Sequence, residues 1–247
     1  MPGQPLVASE FEGVPGWYGK IPYLGDFASR RLSQQFILEW DNWLQHSMSA
    51  SRTMLGPDWL DTYLMSPIWR FVLLPGVIGE SVWAGLLMPS VDKVGRHFPL
   101  TIAIPLEPRP GILATVIAAQ DWFAALEEVS LATLNLEFSV EQFETQLAAT
   151  PFPAEPHRQQ YNQATDLAVW WQEPSAWRDI ALPVGSGMQQ IISATATQLL
   201  QSTGSGKSLW WYEIEALGPA RLSCFTALPH PEFYGTLLQG QRALIPS

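Results

Sequence analysis

The sequence is poor in cysteine, in positive charge and in long apolar runs, and each shortage removes a class of function. Cys224 is the only cysteine among 247 residues, so an internal disulfide framework is excluded. It lies in the apolar stretch Leu222-Ser223-Cys224-Phe225 and reads as a small buried thiol, since a nucleophile needs a base and an electropositive setting. Lys and Arg total 13 against 23 Asp and Glu, a formal net charge of −10. The longest basic run is Arg30-Arg31, so the clustered cations that neutralise nucleic-acid phosphates are missing. The same deficit disfavours docking on anionic lipid. No uncharged apolar run approaches the roughly 18 residues of a membrane span. Met1 to Glu10 carries neither a basic region nor an apolar segment of signal-peptide length, so the expected location is cytoplasmic.

Apolar and aromatic residues are what the chain has in plenty: 47% and 12% of the sequence, with 12 Trp. A chain of this length buries roughly 70–75% of the surface its unfolded form exposes. It can therefore build a large core without disulfides or metal, and no cofactor is expected. Residues 1–247 fit a single domain, with 1–13 as a loose N-terminal tail.

Periodicity supplies the elements. Gly16 to Lys20 reads as a strand. Phe36, Ile37, Trp40, Trp43, Leu44 and Met48 form one apolar stripe, which predicts a helix from Ser33 to Met48. Pro57 opens a short helix through Tyr63. Ile68 to Leu74, Ser81 to Met88 and Leu100 to Pro105 are apolar runs parted by Pro and Gly, and predict an antiparallel meander covered on both faces. One long helix is expected from Ile112 to Val129 and another from Val140 to Ala149. The prolines of Thr150 to Pro156 mark a linker, and Asp166 to Trp171 is strand or helix. Met188 to Gln201 is helical, Ser208 to Glu215 and Arg221 to Leu228 are strands, and Pro231 to Leu238 is a last helix. Intermixed strands and helices predict an α/β fold with a mixed sheet between helix layers.

Tests for chemistry mostly fail. Gly204-Ser205-Gly206-Lys207-Ser208 resembles the end of a phosphate-binding loop, but Gln201 stands where the first glycine belongs. A helix also precedes it and a strand follows, the reverse of the required order. Gly185-Ser186-Gly187 lacks the dinucleotide fingerprint. His46, His97, His157 and His230 share no metal-ligand spacing. Ser90 with His97 as base lacks a nameable third partner. Two segments stand out. Gly16 to Phe27 is framed by glycines and carries Lys20 and Asp26 as its only charges. Ser66 to Leu100 sets Arg70, Asp92, Lys93 and Arg96 among apolar strands and turns. This polar cluster reads either as a site or as ion pairs holding loops.

The same segments resemble the TagF family, also called ImpM or SciT, of type VI secretion-associated proteins. The likeness rests on Gly16 to Phe27 (Gly-Trp/Phe-x-Gly-Lys-x-Pro-x-x-Gly-Asp-Phe) and on Trp40-Asp41-x-Trp43-Leu44. It rests also on Ser66-Pro67-x-Trp69-Arg70-Phe71, and on Trp83-x-Gly85 through Met88-Pro89-Ser90-Val91-Asp92-x-Val94-Gly95-Arg96-x-Phe98-Pro99-Leu100. The resemblance implies a three-layer α/β/α sandwich. It also implies a non-enzymatic, post-translational repressor of type VI secretion that binds a forkhead-associated (FHA) scaffold protein. Relatives fused to a PP2C-type phosphatase exist, but this chain has neither the length nor the Asp-rich motifs for that domain. The family supplies no catalytic residues to carry over. Exposed aromatic and arginine anchors dominate protein contacts, which nominates Trp17, Tyr18, Trp59 and Arg96 for the partner, together with the charges Lys20, Asp26, Arg70 and Asp92, although most of the 12 Trp are more simply read as core. Lys20, Asp26, Arg70, Asp92 and Arg96 form the competing reading, a ligand pocket or enzyme site at strand ends. The net charge of −10 leads to the expectation of a basic or neutral partner face.

Overall fold

Glycine and proline punctuation divides the chain into short elements. The computed structural model describes residues 13–135, 137–153, 166–172, 188–213 and 221–240. Strands β1 (Gly16–Gly19) and β2 (Ala28–Arg30) come first, then helix α1 (Gln34–Leu55), a 3-10 segment (Gly56–Asp58) and α2 (Trp59–Leu64). The meander β3 (Trp69–Leu73), β4 (Val82–Met88) and β5 (Leu100–Leu106) follows. Helices α3 (Ile112–Ala118), α4 (Gln120–Ala132), α5 (Val140–Ala148), α6 (166–172) and α7 (Met188–Ser202) lead to β6 (Lys207–Tyr212), β7 (Arg221–Thr226) and α8 (Pro231–Gln239).

The strands form one seven-stranded sheet in the order β2-β1-β5-β4-β3-β6-β7. Every pairing is antiparallel. This corrects the expected mixed sheet. The helices between β5 and β6 carry the chain across β4 and β3 to a strand running opposite to β3, so intermixed helices do not force parallel neighbours. Alternate side chains of each central strand enter different cores. Trp69, Phe71, Leu73, Trp83 and Leu87 meet α1, α2 and α8 on one face. Val72, Val82, Ala84, Leu86 and Met88 meet α3, α4 and α5 on the other.

Trp40 sits at the centre of the first core, within 4.8–5.9 Å (centroid to centroid) of the rings of Phe36, Trp43, Phe71 and Trp210. Its indole donates to the Thr101 hydroxyl at 2.8 Å. The indoles of Trp43 and Trp69 donate to the carbonyls of Pro229 and Leu237, at 2.7 and 3.1 Å, and so tie α8 to the sheet. Buried aromatics with such a polar handle fix orientation as well as area.

Several boundaries differ from expectation for local reasons. Helix α1 starts where Ser33 caps the Phe36 amide at 3.2 Å, as the spacing implied. It then runs past Met48 to Leu55, because buried Ser51 accepts the Trp59 indole at 2.9 Å and keeps the helix facing the core. The helix expected over 112–129 breaks at Ala119. There the Gln120 side-chain amide donates to the Ile117 carbonyl at 2.7 Å, while its oxygen accepts from Arg70 at 2.7 Å. Strand β2 was not foreseen, since three residues of Ala-Ser-Arg carry no alternation. The tail at 1–12, Gly185-Ser186-Gly187 and most of the proline linker lie outside the described residues.

Cys224 corrects another expectation. On β7, at the edge of the sheet, burial alternates, and Cys224 falls on the exposed side with Leu222. Native protein should therefore take up one maleimide label per chain without denaturant, whereas a protected thiol would react only on unfolding. Gly85 in β4 leaves no such room: an added Cβ would lie 2.1 Å from the Ile102 carbonyl oxygen. Gly85→Ala should cost about 1–3 kcal/mol in urea denaturation. Gly25→Ala, whose Cβ would meet nothing within 4 Å, should be nearly neutral.

Candidate functional site

Strand β1 ends at Gly19, whose φ of +135° and approach to Pro99 leave no space for a side chain. The chain can then turn Lys20 inward, against the connection between β4 and β5. That connection narrows step by step. Phe98 N–H donates to the Ser90 carbonyl at 3.1 Å, Val91 bridges to His97, and Asp92 N–H donates to the Arg96 carbonyl at 3.0 Å. Gly95 N–H closes the tip on the Asp92 carbonyl at 3.0 Å, with Gly95 at φ +83°. A turn followed by a left-handed glycine is a recurrent way to end a hairpin.

Asp92 holds this tip from inside. One carboxylate oxygen, Oδ1, accepts the backbone N–H groups of Val94 and Arg96 at 3.0 and 2.8 Å. The other, Oδ2, accepts Lys20 Nζ at 2.8 Å and Arg96 Nε at 2.6 Å. Both Lys20 and Asp92 are buried. Burial alone would push the Asp92 carboxyl up; the Lys20 ammonium, the Arg96 amide and guanidinium and the Val94 amide outweigh it and hold the group well below its usual range. Arg96 also donates to the Gly25 carbonyl at 2.6 Å, and Lys93 N–H to the Leu24 carbonyl at 3.2 Å. The cluster thus joins the β4–β5 hairpin to the Tyr23–Phe27 turn.

The other nominated residues fall elsewhere. Asp26 is exposed and accepts from the Phe27 amide at 2.8 Å. Arg70 lies on the opposite face of the sheet, where Nε meets Glu127 at 2.6 Å and Nη1 meets Gln120 at 2.7 Å. The five charges considered as one pocket therefore do not converge. Trp17, Tyr18 and Trp59, nominated as exposed anchors, are core residues. Trp17 donates to Glu144 and Tyr18 to Asp41, and Trp59 stacks on Tyr63 with ring centres 5.0 Å apart. Burial raises the Tyr18 hydroxyl pKa, and the Asp41 carboxylate raises it further.

Ser90 is not poised for attack. It is buried, and its hydroxyl donates to the Lys20 carbonyl at 2.7 Å. His97 instead packs edge-on against Trp59 and Tyr63. The Gly204–Ser208 segment is the helix-to-strand turn between α7 and β6, with Gly206 N–H on the Pro75 carbonyl at 2.7 Å. Among the described residues no group of His, Cys, Asp and Glu is placed to hold a metal, and no helix is long and apolar enough to cross a membrane.

Sequence reasoning missed several partners of the cluster. Tyr63 donates to the Ser90 carbonyl at 2.8 Å and accepts the Ser90 amide at 2.9 Å, which braces the hairpin against α2. Phe27 lies under Lys20 Nζ, 4.8 Å from the ring centre. Away from the cluster, Glu144 takes both Arg31 and Trp17, a link no local spacing signals.

Removing Lys20 leaves the buried Asp92 carboxylate one donor short, with Arg96 and two backbone amides still in place. Lys20→Met should lower stability by about 1–3 kcal/mol in urea melts. The pH dependence has a definite sign. The Asp92 pKa is lower folded than unfolded, so its contribution is complete above the unfolded pKa and is lost as pH falls below it. Urea midpoints measured from about pH 5 down to about pH 2 should fall for the wild type, and fall less steeply for Asp92→Asn.

Residues 16–150 match the family described as TagF N-terminal domain, Type VI secretion system-associated. Among solved structures, the crystal structure of PA0076 from Pseudomonas aeruginosa PAO1 is similar. It is 34% identical, with a TM-score of 0.72, over 94% of this chain and 97% of that one. No curated protein matches the sequence. The family match opens at β1, closes just beyond α5 and takes in all of the Lys20–Asp92–Arg96 cluster, and on that ground the chain belongs to the TagF family of type VI secretion-associated proteins.

Proposed function

We propose that the chain is a non-enzymatic, post-translational repressor of type VI secretion, and that it acts by binding an FHA scaffold protein of the apparatus in the cytoplasm. Membership of a family associated with that system supports the setting. The observation that carries the binding role is the way the charges of the two unusual segments are used. Lys20, Asp92 and Arg96 are bonded to one another and to the loop backbone, and Arg70 to Gln120 and Glu127. Charges bonded in this way order the loops that carry them and shape a surface, and they do not line an open cavity. Open polar groups converging on a cavity are the mark of small-molecule sites, and these residues lack that arrangement.

The test is direct. The purified chain should co-elute with the cognate FHA protein in size-exclusion chromatography. Secretion should rise in a strain deleted for the chain and fall when the chain is overproduced. No complex, together with unchanged secretion in the deletion strain, overturns the reading.

A further inference from the structure

We propose that the hairpin tip Lys93–Val94–Gly95–Arg96 and the neighbouring Phe27 form the docking surface of this protein, fitted to an acidic protein segment that carries an apolar side chain beside a carboxylate. The inference rests on the binding role proposed above and assigns it a place.

Three observations converge there. The first is exposed apolar area on fixed supports. Val94 is 70% exposed at the tip, and Phe27 is 46% exposed on the turn that Arg96 and Lys93 bond to. Phe27 is not a loose ring. It packs edge-on against Phe98 at 4.7 Å, stacks with Tyr18 at 6.1 Å and lies under the Lys20 ammonium. The second is a preset arginine. The Arg96 side chain is 55% exposed, yet Asp92 and the Gly25 carbonyl hold its guanidinium. Groups already held in place lose little freedom on association, so more of their contact energy appears as affinity.

The third observation is charge. Lys93 and Arg96 are exposed cations, with Asp26 as the exposed carboxylate of the adjoining turn. The Asp92 carboxylate is buried and balanced by Lys20. The tip is therefore cationic on a chain of net charge −10. Its local sign calls for an acidic partner, the opposite of what the whole-chain charge implies. The buried pair gives the arrangement its meaning. Such pairs contribute little net stability compared with apolar packing. This one orders a solvent-facing turn between two segments far apart in sequence.

The test uses the full chain and the cognate FHA protein in isothermal titration at low and high salt. Lys93→Glu and Val94→Asp should each raise Kd at least about tenfold. Both side chains face solvent, so melting temperatures should be unchanged. Leu222→Asp, exposed on the edge strand β7, three strands away from β4, should bind as the wild type does. Wild-type Kd should rise with salt, and Lys93→Glu should flatten that rise. Wild-type binding that survives both tip variants overturns the docking surface and leaves the repressor reading standing. Absence of wild-type binding overturns both. A self-associated wild type dispersed by Val94→Asp in sedimentation overturns it in favour of a second copy of this chain.

Discussion

The buried ion pair between Lys20 and Asp92 is the constraint from which the rest of this surface follows. A carboxylate taken out of water must be met by donors, and Asp92 is met by four. Two of those donors are backbone amides of its own turn, one is the Arg96 guanidinium, and one comes from the end of β1. Because all must be satisfied together, the β4–β5 hairpin, the end of β1 and the Tyr23–Phe27 turn have one mutual arrangement. Tyr63 and Ser90 extend that lock to α2.

The sheet makes the lock possible. A wholly antiparallel order puts β1 against β5, so the end of β1 lies beside the start of β5 and the hairpin that precedes it. The close backbone contact at Gly19 sets the distance. On the helical side, Trp40 and its surrounding rings fix α1 against β3, β5 and β6, and the indoles of Trp43 and Trp69 fix α8. A well-packed aromatic core gives the polar cluster a rigid base. On the other face Arg70 performs a comparable task, joining β3 to the kink between α3 and α4.

Much of this is legible in the sequence. The apolar stripe of α1, its start near Ser33, the meander and the short helix behind Pro57 all follow from local periodicity and punctuation, and each is present. The reversed order of helix and strand around Gly204–Ser208 was also a local matter. The errors share a cause. Strand direction, the kink at Ala119 and the exposure of Cys224 depend on what lies across the sheet or at its edge, and no window of sequence contains that. The burial of Trp17, Tyr18 and Trp59 is of the same kind, since an aromatic residue reads alike as anchor or core until its neighbours are known.

The candidate site divides along the same line. Sequence by itself marked Lys20, Asp92 and Arg96 as unusual charges among apolar residues and glycines, because low charge density makes each one visible. It also marked Asp26 and Arg70, which look equivalent by that criterion. Only the tertiary structure separated them, by bringing Lys20 across 72 residues to Asp92 while sending Arg70 through the sheet to Glu127. The physical reason is that residue type sets which partners a charge requires, and the packing of distant strands decides which of them it meets.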